Sequence, residues 1–162
     1  MTRTRREHPS RHRTPVQLAA LAFAVVFLLV GIAGFIPGIT TNYDTMQFAG
    51  HHSEAMLLGI FQVSVLHNIV HLLYGVGGVV LARTGRLARL YLLVGGVVYL
   101  ALWIYGLAIG HDSAANFVPL NNADNWLHMV LGITMVAASF LRRDHPDPRV
   151  DDHGAPPRGR TV

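Results

Sequence analysis

Four stretches of apolar residues follow one another along the chain, separated by short polar segments. They cover residues 16–36, 56–82, 87–109 and 125–141. A helix needs about 20 apolar residues to cross the hydrocarbon core of a bilayer, because open backbone polar groups cannot be satisfied there. The fourth stretch has 17 residues, at the short end of the range. The pattern predicts an all-α membrane protein with four transmembrane helices.

The 13 basic residues are all arginine, and their positions predict the orientation of these helices. They lie in segments 1–13, 83–89 and 142–160, whereas the loops 37–55 and 110–124 contain acidic residues and no arginine. Basic residues are concentrated on the cytoplasmic side of membrane proteins. We therefore expect both termini to be cytoplasmic, with residues 1–15 as an arginine-rich tail and residues 142–162 as a disordered tail.

Composition agrees with this interpretation and removes several others. The 162 residues are 51% hydrophobic and 14% charged, and the chain contains no cysteine. A disordered chain, a disulfide-stapled secreted domain and a cysteine-ligated metal site are therefore excluded. The pI near 10 would suggest nucleic acid, but the arginines are explained by topology and by anionic lipid. A cleaved signal peptide is disfavoured, because the first apolar stretch is too long and no A-x-A-like site follows it.

Two pairs of segments resemble each other at fixed spacings, which indicates an internal repeat. Residues 25–38 match residues 97–110 at an offset of 72, and both end in G-x-x-x-G. Residues 68–75 match residues 125–132 at an offset of 57, and both have the pattern N-x-x-H-x-x-x-G. Each half would start in the cytoplasm, so the halves are parallel repeats related by a pseudo-two-fold axis along the membrane normal. We expect a four-helix bundle built from two parallel two-helix repeats.

Glycines in these repeats are predicted to mediate helix packing. Association of helices in lipid depends on close packing, which small residues allow. The predicted contact residues are Gly34, Gly38, Gly75, Gly106, Gly110 and Gly132. Contact inside the bundle is the favoured interpretation, and the interface of a homodimer is the alternative.

Polar residues of the second and fourth predicted helices form the candidate site. Asn68 and His71 match Asn125 and His128 in the repeat, and His67 adds a third imidazole beside them. Such side chains are costly inside a bilayer, so their presence there is by default a functional hypothesis.

Three interpretations of these residues stay open. The favoured one is an interhelical hydrogen-bond cluster that fixes the register between the repeats. In the second, His71 and His128 bind haem iron axially from opposite sides, or His67 joins them in a zinc or copper site. The third is a proton or small-substrate path that uses the same imidazoles, although no acidic residue lies within any predicted span.

Two other histidine patterns carry less weight. His67 and His71 have the spacing of the metalloprotease motif H-E-x-x-H, but Asn68 replaces the glutamate that acts as the general base, so a protease is excluded. A second group lies in the outer loops and comprises His51, His52, Glu54, His111 and Asp112. It could bind a divalent ion, but loop histidines of this kind are more often simply solvated.

Several runs of the chain are similar to a known protein family. They are residues 31–38, 58–63, 66–71, 116–121 and 123–128. Together they resemble an uncharacterised bacterial membrane family, domain of unknown function 4383, over residues 16–141. The resemblance implies a four-helix integral membrane protein of the bacterial envelope. It implies no reaction, substrate or catalytic residue.

The resulting hypothesis is a multi-pass protein of the bacterial inner membrane that acts as a non-enzymatic structural or accessory component. No catalytic residue is predicted, the metal is unknown, and the absence of a cofactor is the favoured expectation. A haem b or metal-binding redox protein is the first alternative, and a small transporter or proton-path component is the second. The expected partner is the lipid bilayer, with a homodimer or another membrane protein as further alternatives and no role for nucleic acid.

Overall fold

The computed structural model of this chain describes residues 12–142, which form four α-helices and a small three-stranded sheet joined by turns and loops. The helices are α1 (Pro15–Ala33), α2 (Val65–Leu81), α3 (Gly85–Ala108) and α4 (Asn122–Ala138). The strands are β1 (Thr40–Thr41), β2 (Met56–Leu57) and β3 (Phe61–Gln62), and a 3₁₀ turn covers Tyr43–Thr45. Most of the two predicted tails, residues 1–11 and 143–162, lies outside the described residues.

The second and fourth helices begin at polar residues that cap them. The first N–H groups of a helix have no partner within it, and a side-chain oxygen at the N-cap satisfies one of them. Ser64 Oγ accepts a hydrogen bond from the N–H of His67 at 3.2 Å. Asn121 Oδ1 accepts one from the N–H of Asp124 at 3.0 Å. The two capping residues are 57 positions apart, which is the offset found in the sequence.

The second helix begins nine residues later than the sequence pattern predicted. Residues 56–64 are mostly apolar and suggested a span that starts at Met56, but they contain β2, β3 and the turn between them. In that turn Leu58 and Gly59 have φ values of 54° and 71°, in the left-handed region, which a right-handed helix cannot contain. A short apolar run fits a strand as well as a helix, which is why the prediction was wrong here.

The helices pack as two pairs. α1 packs along α2, α3 packs along α4, and the two pairs meet mainly through α1 and α3. At the centre of that contact the rings of Phe27 and Tyr99 stack, with centroids 5.4 Å apart and planes 6° apart. The surrounding core is apolar and includes Val16, Ala20, Ala88, Leu92 and Met135. Within the described residues, this arrangement leaves the outer faces of all four helices free of protein contacts.

Those outer faces are apolar. The helices α1 and α3 are long and apolar enough to cross a membrane, while α2 and α4 each have 17 residues. More than half of the surface of Leu29, Leu73, Leu107 and Ile133, one residue on each helix, is exposed. An apolar surface of this extent is typical of a protein that contacts lipid or another protein.

The strands cover one end of the helices, which we name the cap end. β2 lies between β1 and β3 in an antiparallel sheet, and Ala55, Leu57 and Val63 are buried beneath it. The backbone N–H of Gln62 in β3 donates to Asp124 Oδ2 at 3.0 Å, which ties the sheet to α4. The opposite end, which we name the arginine end, carries Arg13, Arg83, Arg86, Arg89 and Arg142.

Candidate functional site in a buried histidine and asparagine cluster

Three buried imidazoles lie near the cap end. His67 and His71 are one turn apart on α2, and His128 is on α4; their exposed fractions are 5%, 7% and 4%. The rings of His67 and His71 have centroids 4.2 Å apart. All three line one cavity of about 60 Å³, together with Tyr99 and Tyr105. Helices from both pairs therefore contribute imidazoles to a single small chamber.

Hydrogen bonding fixes the tautomer of one imidazole, while a ring nitrogen in each of the other two has no hydrogen-bond partner. His71 Nδ1 lies 3.0 Å from the carbonyl oxygen of His67, and since a carbonyl only accepts, Nδ1 carries the hydrogen. In the neutral ring Nε2 of His71 is then a free acceptor. His67 Nδ1 and His128 Nδ1 are sealed from solvent and have no hydrogen-bond partner within residues 12–142. A buried donor or acceptor without a hydrogen-bond partner costs about 1–3 kcal/mol, whichever tautomer these two imidazoles adopt.

The stacked rings of Phe27 and Tyr99 support the imidazoles of both pairs. His71 meets Phe27 edge-on, with centroids 5.8 Å apart at 64°. His128 meets Tyr99 in the same way, with centroids 5.1 Å apart at 65°. Each imidazole is thus held by an aromatic residue of the helix with which its own helix pairs. Phe27 and Tyr99 are 72 positions apart, as are the segments matched in the sequence.

The two asparagines pack against glycines. The side-chain oxygen of Asn68 is the nearest atom to the place that a Cβ of Gly34 would occupy, and the side-chain oxygen of Asn125 has the same relation to Gly106. Both oxygens are buried without a hydrogen-bond partner in the described part of the chain. No hydrogen bond joins any two of the predicted cluster residues, which are Asn68, His71, Asn125 and His128. Packing against glycines, and not a shared hydrogen-bond network, therefore holds the two asparagine side chains in place.

Four of the six predicted packing glycines lie at helix contacts. Gly34 and Gly106 face the asparagines. A Cβ on Gly75 would lie 2.9 Å from the Ala24 carbonyl oxygen, and a Cβ on Gly132 would lie 3.0 Å from the Gly96 carbonyl oxygen. The remaining two, Gly38 and Gly110, lie in the loops that follow α1 and α3. Gly38 has φ +94° and no neighbour within 4 Å of an added Cβ, and Gly110 has only Ser113 at 3.9 Å, so neither makes a close helix contact within residues 12–142.

The buried faces of α2 and α4 correspond residue by residue. The buried residues of α2 are His67, Asn68, His71, Gly75 and Gly78. The buried residues of α4 are Asp124, Asn125, His128, Gly132 and Met135, each 57 positions later.

Asp124 is a buried acid that the sequence interpretation missed. It takes the place of His67 in the second pair, and its Oδ2 accepts hydrogen bonds from the N–H of Asn121 and the N–H of Gln62, both at 3.0 Å. Burial raises the pKa of its carboxyl group to about 7, although the two N–H donors act in the opposite direction. The signal was present in the sequence, because Asn121 and Asp124 have the spacing of a capping box.

A family model described as domain of unknown function (DUF4383) matches residues 17–141. The chain belongs to this family. The resemblance noted in the sequence is therefore confirmed. No curated protein and no solved structure matches the chain. The DUF4383 match includes α2, α3, α4, the cap and all of α1 except its first two residues, so the buried histidines and asparagines lie within the family domain.

The chamber of this DUF4383 chain is small. Pockets for drug-sized ligands typically have volumes of about 300–1,000 Å³, whereas 60 Å³ holds only a few water molecules or one small ligand. A haem macrocycle does not fit between His71 and His128 in this conformation. Within residues 12–142 no group of three or more His, Asp or Glu side chains is placed to hold a metal ion, and this covers the outer-loop histidines His51 and His52.

Proposed function

We propose that this chain is a non-enzymatic structural or accessory component of the bacterial inner membrane, with four spans and both termini in the cytoplasm. The distribution of charge supports the orientation. Five arginines lie at the arginine end, whereas Asp44, Glu54, Asp112 and Asp124 lie at or beside the cap end. Arginine is concentrated on the cytoplasmic side, so the cap would face outwards.

We further propose that the bundle consists of two parallel repeats, α1–α2 and α3–α4. Equivalent contacts support this proposal. Asn68 faces Gly34 as Asn125 faces Gly106, and these positions differ by 57 and 72, the two offsets found in the sequence. The Phe27–Tyr99 stack would then lie on the pseudo-two-fold axis, with one imidazole held against each ring.

The structural role rests on one observation: the buried polar side chains occupy the contacts between helices. Asn68 packs against Gly34, the C-cap residue of α1, and His71 packs on Phe27 of α1. Close packing is the main source of affinity between helices in lipid. Polar side chains placed at these contacts would fix how α1 and α2 align, with no need for a bound ligand.

The experiment is a double substitution, His71→Leu with His128→Leu, in protein purified in mild detergent. We expect a loss of roughly 1–3 kcal/mol of stability, because two edge-on ring contacts worth about 0.5–1.5 kcal/mol each disappear along with the His71 hydrogen bond. Thermal unfolding measures that loss. Thr134→Leu, an exposed polar-to-apolar change on α4, is the matched control and is expected to leave stability unchanged within about 0.5 kcal/mol.

A second candidate function is a small-ligand site, either for a metal in a redox protein or for a proton path. The unpartnered Nδ1 atoms of His67 and His128 favour it. Metal analysis and an absorption spectrum of the same purified proteins distinguish the two candidates. Stoichiometric metal, or a Soret band that His128→Leu removes, would reject the purely structural role.

A further inference from the structure

A second cavity opens at the arginine end, far from the histidine cluster. It has a volume of about 580 Å³ and lies between the start of α1, the end of α2 and the start of α3. Arg13, Arg83 and Thr84 line its polar part, and Leu21 and Val79 line its apolar part. Neither guanidinium group makes an ion pair or a hydrogen bond within residues 12–142. The cavity is therefore positively charged at one wall and apolar at another.

Gln17 forms hydrogen bonds with two backbone carbonyl groups that would otherwise face this cavity. Its Nε2 donates to the carbonyl oxygens of Ala82 and Arg83, at 2.9 Å and 3.0 Å, where α2 ends. The Oε1 of Gln17 in turn accepts from the N–H and the hydroxyl of Thr14, both at 3.0 Å. The exposed carbonyls of the α2 terminus are thereby occupied. No acidic residue lines the cavity or lies in the first turn of α3, so nothing in the described chain neutralises the arginines.

The equivalent corner of the second helix pair is closed. Gln17 corresponds to Arg89 at the offset of 72, and Arg83 corresponds to Phe140 at the offset of 57. The guanidinium carbon of Arg89 lies 5.8 Å from the centre of the Phe140 ring, a cation–π contact. Within residues 12–142, one corner of the arginine end is thus filled by the chain itself, while the other leaves the guanidinium groups of Arg13 and Arg83 unpaired around an open space.

We propose that the cavity binds the phosphate of an anionic phospholipid. Arg13 and Arg83 would hold the phosphate oxygens, because guanidinium groups form strong charge-assisted hydrogen bonds to phosphate. An acyl chain would follow Leu21 and Val79 along the apolar surface. Basic pockets at the cytoplasmic ends of transmembrane helices recognise lipid head groups in this way. The proposal rests on the membrane placement proposed above, since only that placement brings the arginine end to the lipid head groups.

The test uses the full chain purified from membranes and titrated with phosphatidylglycerol or with phosphatidylcholine in mixed micelles. Native mass spectrometry counts the bound lipid. We expect one phosphatidylglycerol to bind the unmodified protein in preference to phosphatidylcholine. Arg13→Gln with Arg83→Gln should weaken that binding about 25-fold, because each arginine near an anionic lipid contributes about fivefold.

Arg89→Gln is the matched control, because it removes one charge from the same end of the molecule but not from the cavity. It should change binding less than twofold. Equal losses in Arg89→Gln and in the double variant would overturn the site, since the effect would then come from overall charge. Displacement of the lipid by inorganic phosphate at comparable concentration would assign the cavity to a free anion and overturn the lipid proposal. A chain absent from the membrane fraction would reject the proposed membrane function itself, whereas a membrane-bound chain without lipid preference would reject only this site.

Discussion

Asp124 is a carboxyl group that the fold holds in a site with little access to water. Its exposed fraction is 2%, and the raised pKa follows from this burial. The two backbone N–H donors, from Asn121 and Gln62, stabilise the charged form but do not fully replace the lost hydration. Because Gln62 belongs to the cap and Asn121 to the start of α4, the protonation state of this residue affects how firmly the cap is held on the helices.

This geometry predicts how stability depends on pH. The folded state binds the Asp124 proton more tightly than the unfolded chain does, since the pKa of this carboxyl group is about 7 in the folded protein and 3.8 in an unfolded chain. The contribution to stability is therefore complete below pH 3.8 and is lost as the pH rises through 7. In Asp124→Asn the side chain stays neutral and its oxygen can still accept both N–H groups. We expect the melting temperature of the unmodified protein to fall between pH 5 and pH 8.5 more steeply than that of this variant.

The control for this measurement is Asp112→Asn, which alters an exposed acid of the neighbouring loop. Its melting temperature should follow that of the unmodified protein throughout the pH range. Parallel curves for the unmodified protein and Asp124→Asn would show that Asp124 carries no linked proton in this range. Differential scanning calorimetry measures these melting temperatures in a non-ionic detergent, whose charge does not change with pH.

At the scale of elements, the helix pair α1–α2 depends on close approach of the two backbones. Gly75 lies where α2 crosses α1, with the Ala24 carbonyl oxygen and the Leu28 side chain at 2.9 Å and 2.6 Å from any added Cβ. A carbonyl oxygen cannot move aside as a flexible side chain can. Gly77 is two residues further along the same helix and has nothing within 4 Å of its own Cβ position.

We therefore expect Gly75→Ala to destabilise the protein by about 1–3 kcal/mol, the usual cost of overpacking a well-packed contact. Gly77→Ala should be neutral or stabilising by about 0.5–1 kcal/mol, because alanine restricts the unfolded chain and favours the helix. Chemical unfolding of both variants in the same micelle measures the difference. Equal stability of the two would mean that α1 and α2 do not approach as closely as the structure has them.

The sequence was informative about helices and contacts to different degrees. Apolar length located α1, α3 and α4 to within three residues, because an apolar stretch of 17 or more residues is too long for a typical strand and favours a helix. Hydropathy failed at Met56, where the left-handed φ of Leu58 turns the chain into a hairpin of strands. The pattern N-x-x-H-x-x-x-G identified the buried face of α2. The pattern could not show that the Asn68 side chain would contact Gly34 and not His71, because that contact depends on how α1 packs against α2.

At the scale of the whole molecule, charge and helix length predict different topologies. Within residues 12–142, only α1 and α3 are long and apolar enough to qualify as spans by themselves. Two spans would place residues 34–84 outside and residues 110–142 in the cytoplasm, and α1 and α3 would then have to run in opposite directions, whereas both helices begin at the arginine end. The arginines argue for four spans, because a two-span chain would place Arg83 outside the cell. Helices of 17 residues extend about 26 Å, slightly less than the hydrocarbon thickness of about 30 Å. Mismatch of this size costs only fractions of a kcal/mol per Å, so four spans remain favourable.

Single cysteines decide between these topologies, because the natural chain has none. Thr41→Cys lies in the cap, Ala114→Cys in the loop between α3 and α4, and Ala155→Cys near the C-terminus. With four spans, a membrane-impermeant maleimide should label Thr41→Cys and Ala114→Cys in intact bacterial spheroplasts and should label Ala155→Cys only after lysis. With two spans, Ala114→Cys would also require lysis, while the other two would behave as before. The labelling of Ala114→Cys therefore distinguishes the two topologies, and Thr41→Cys and Ala155→Cys serve as the external and internal references. Protection of Ala114→Cys would reject the four-span topology and the parallel repeats with it, since α4 could then no longer occupy the place that α2 has in the first pair.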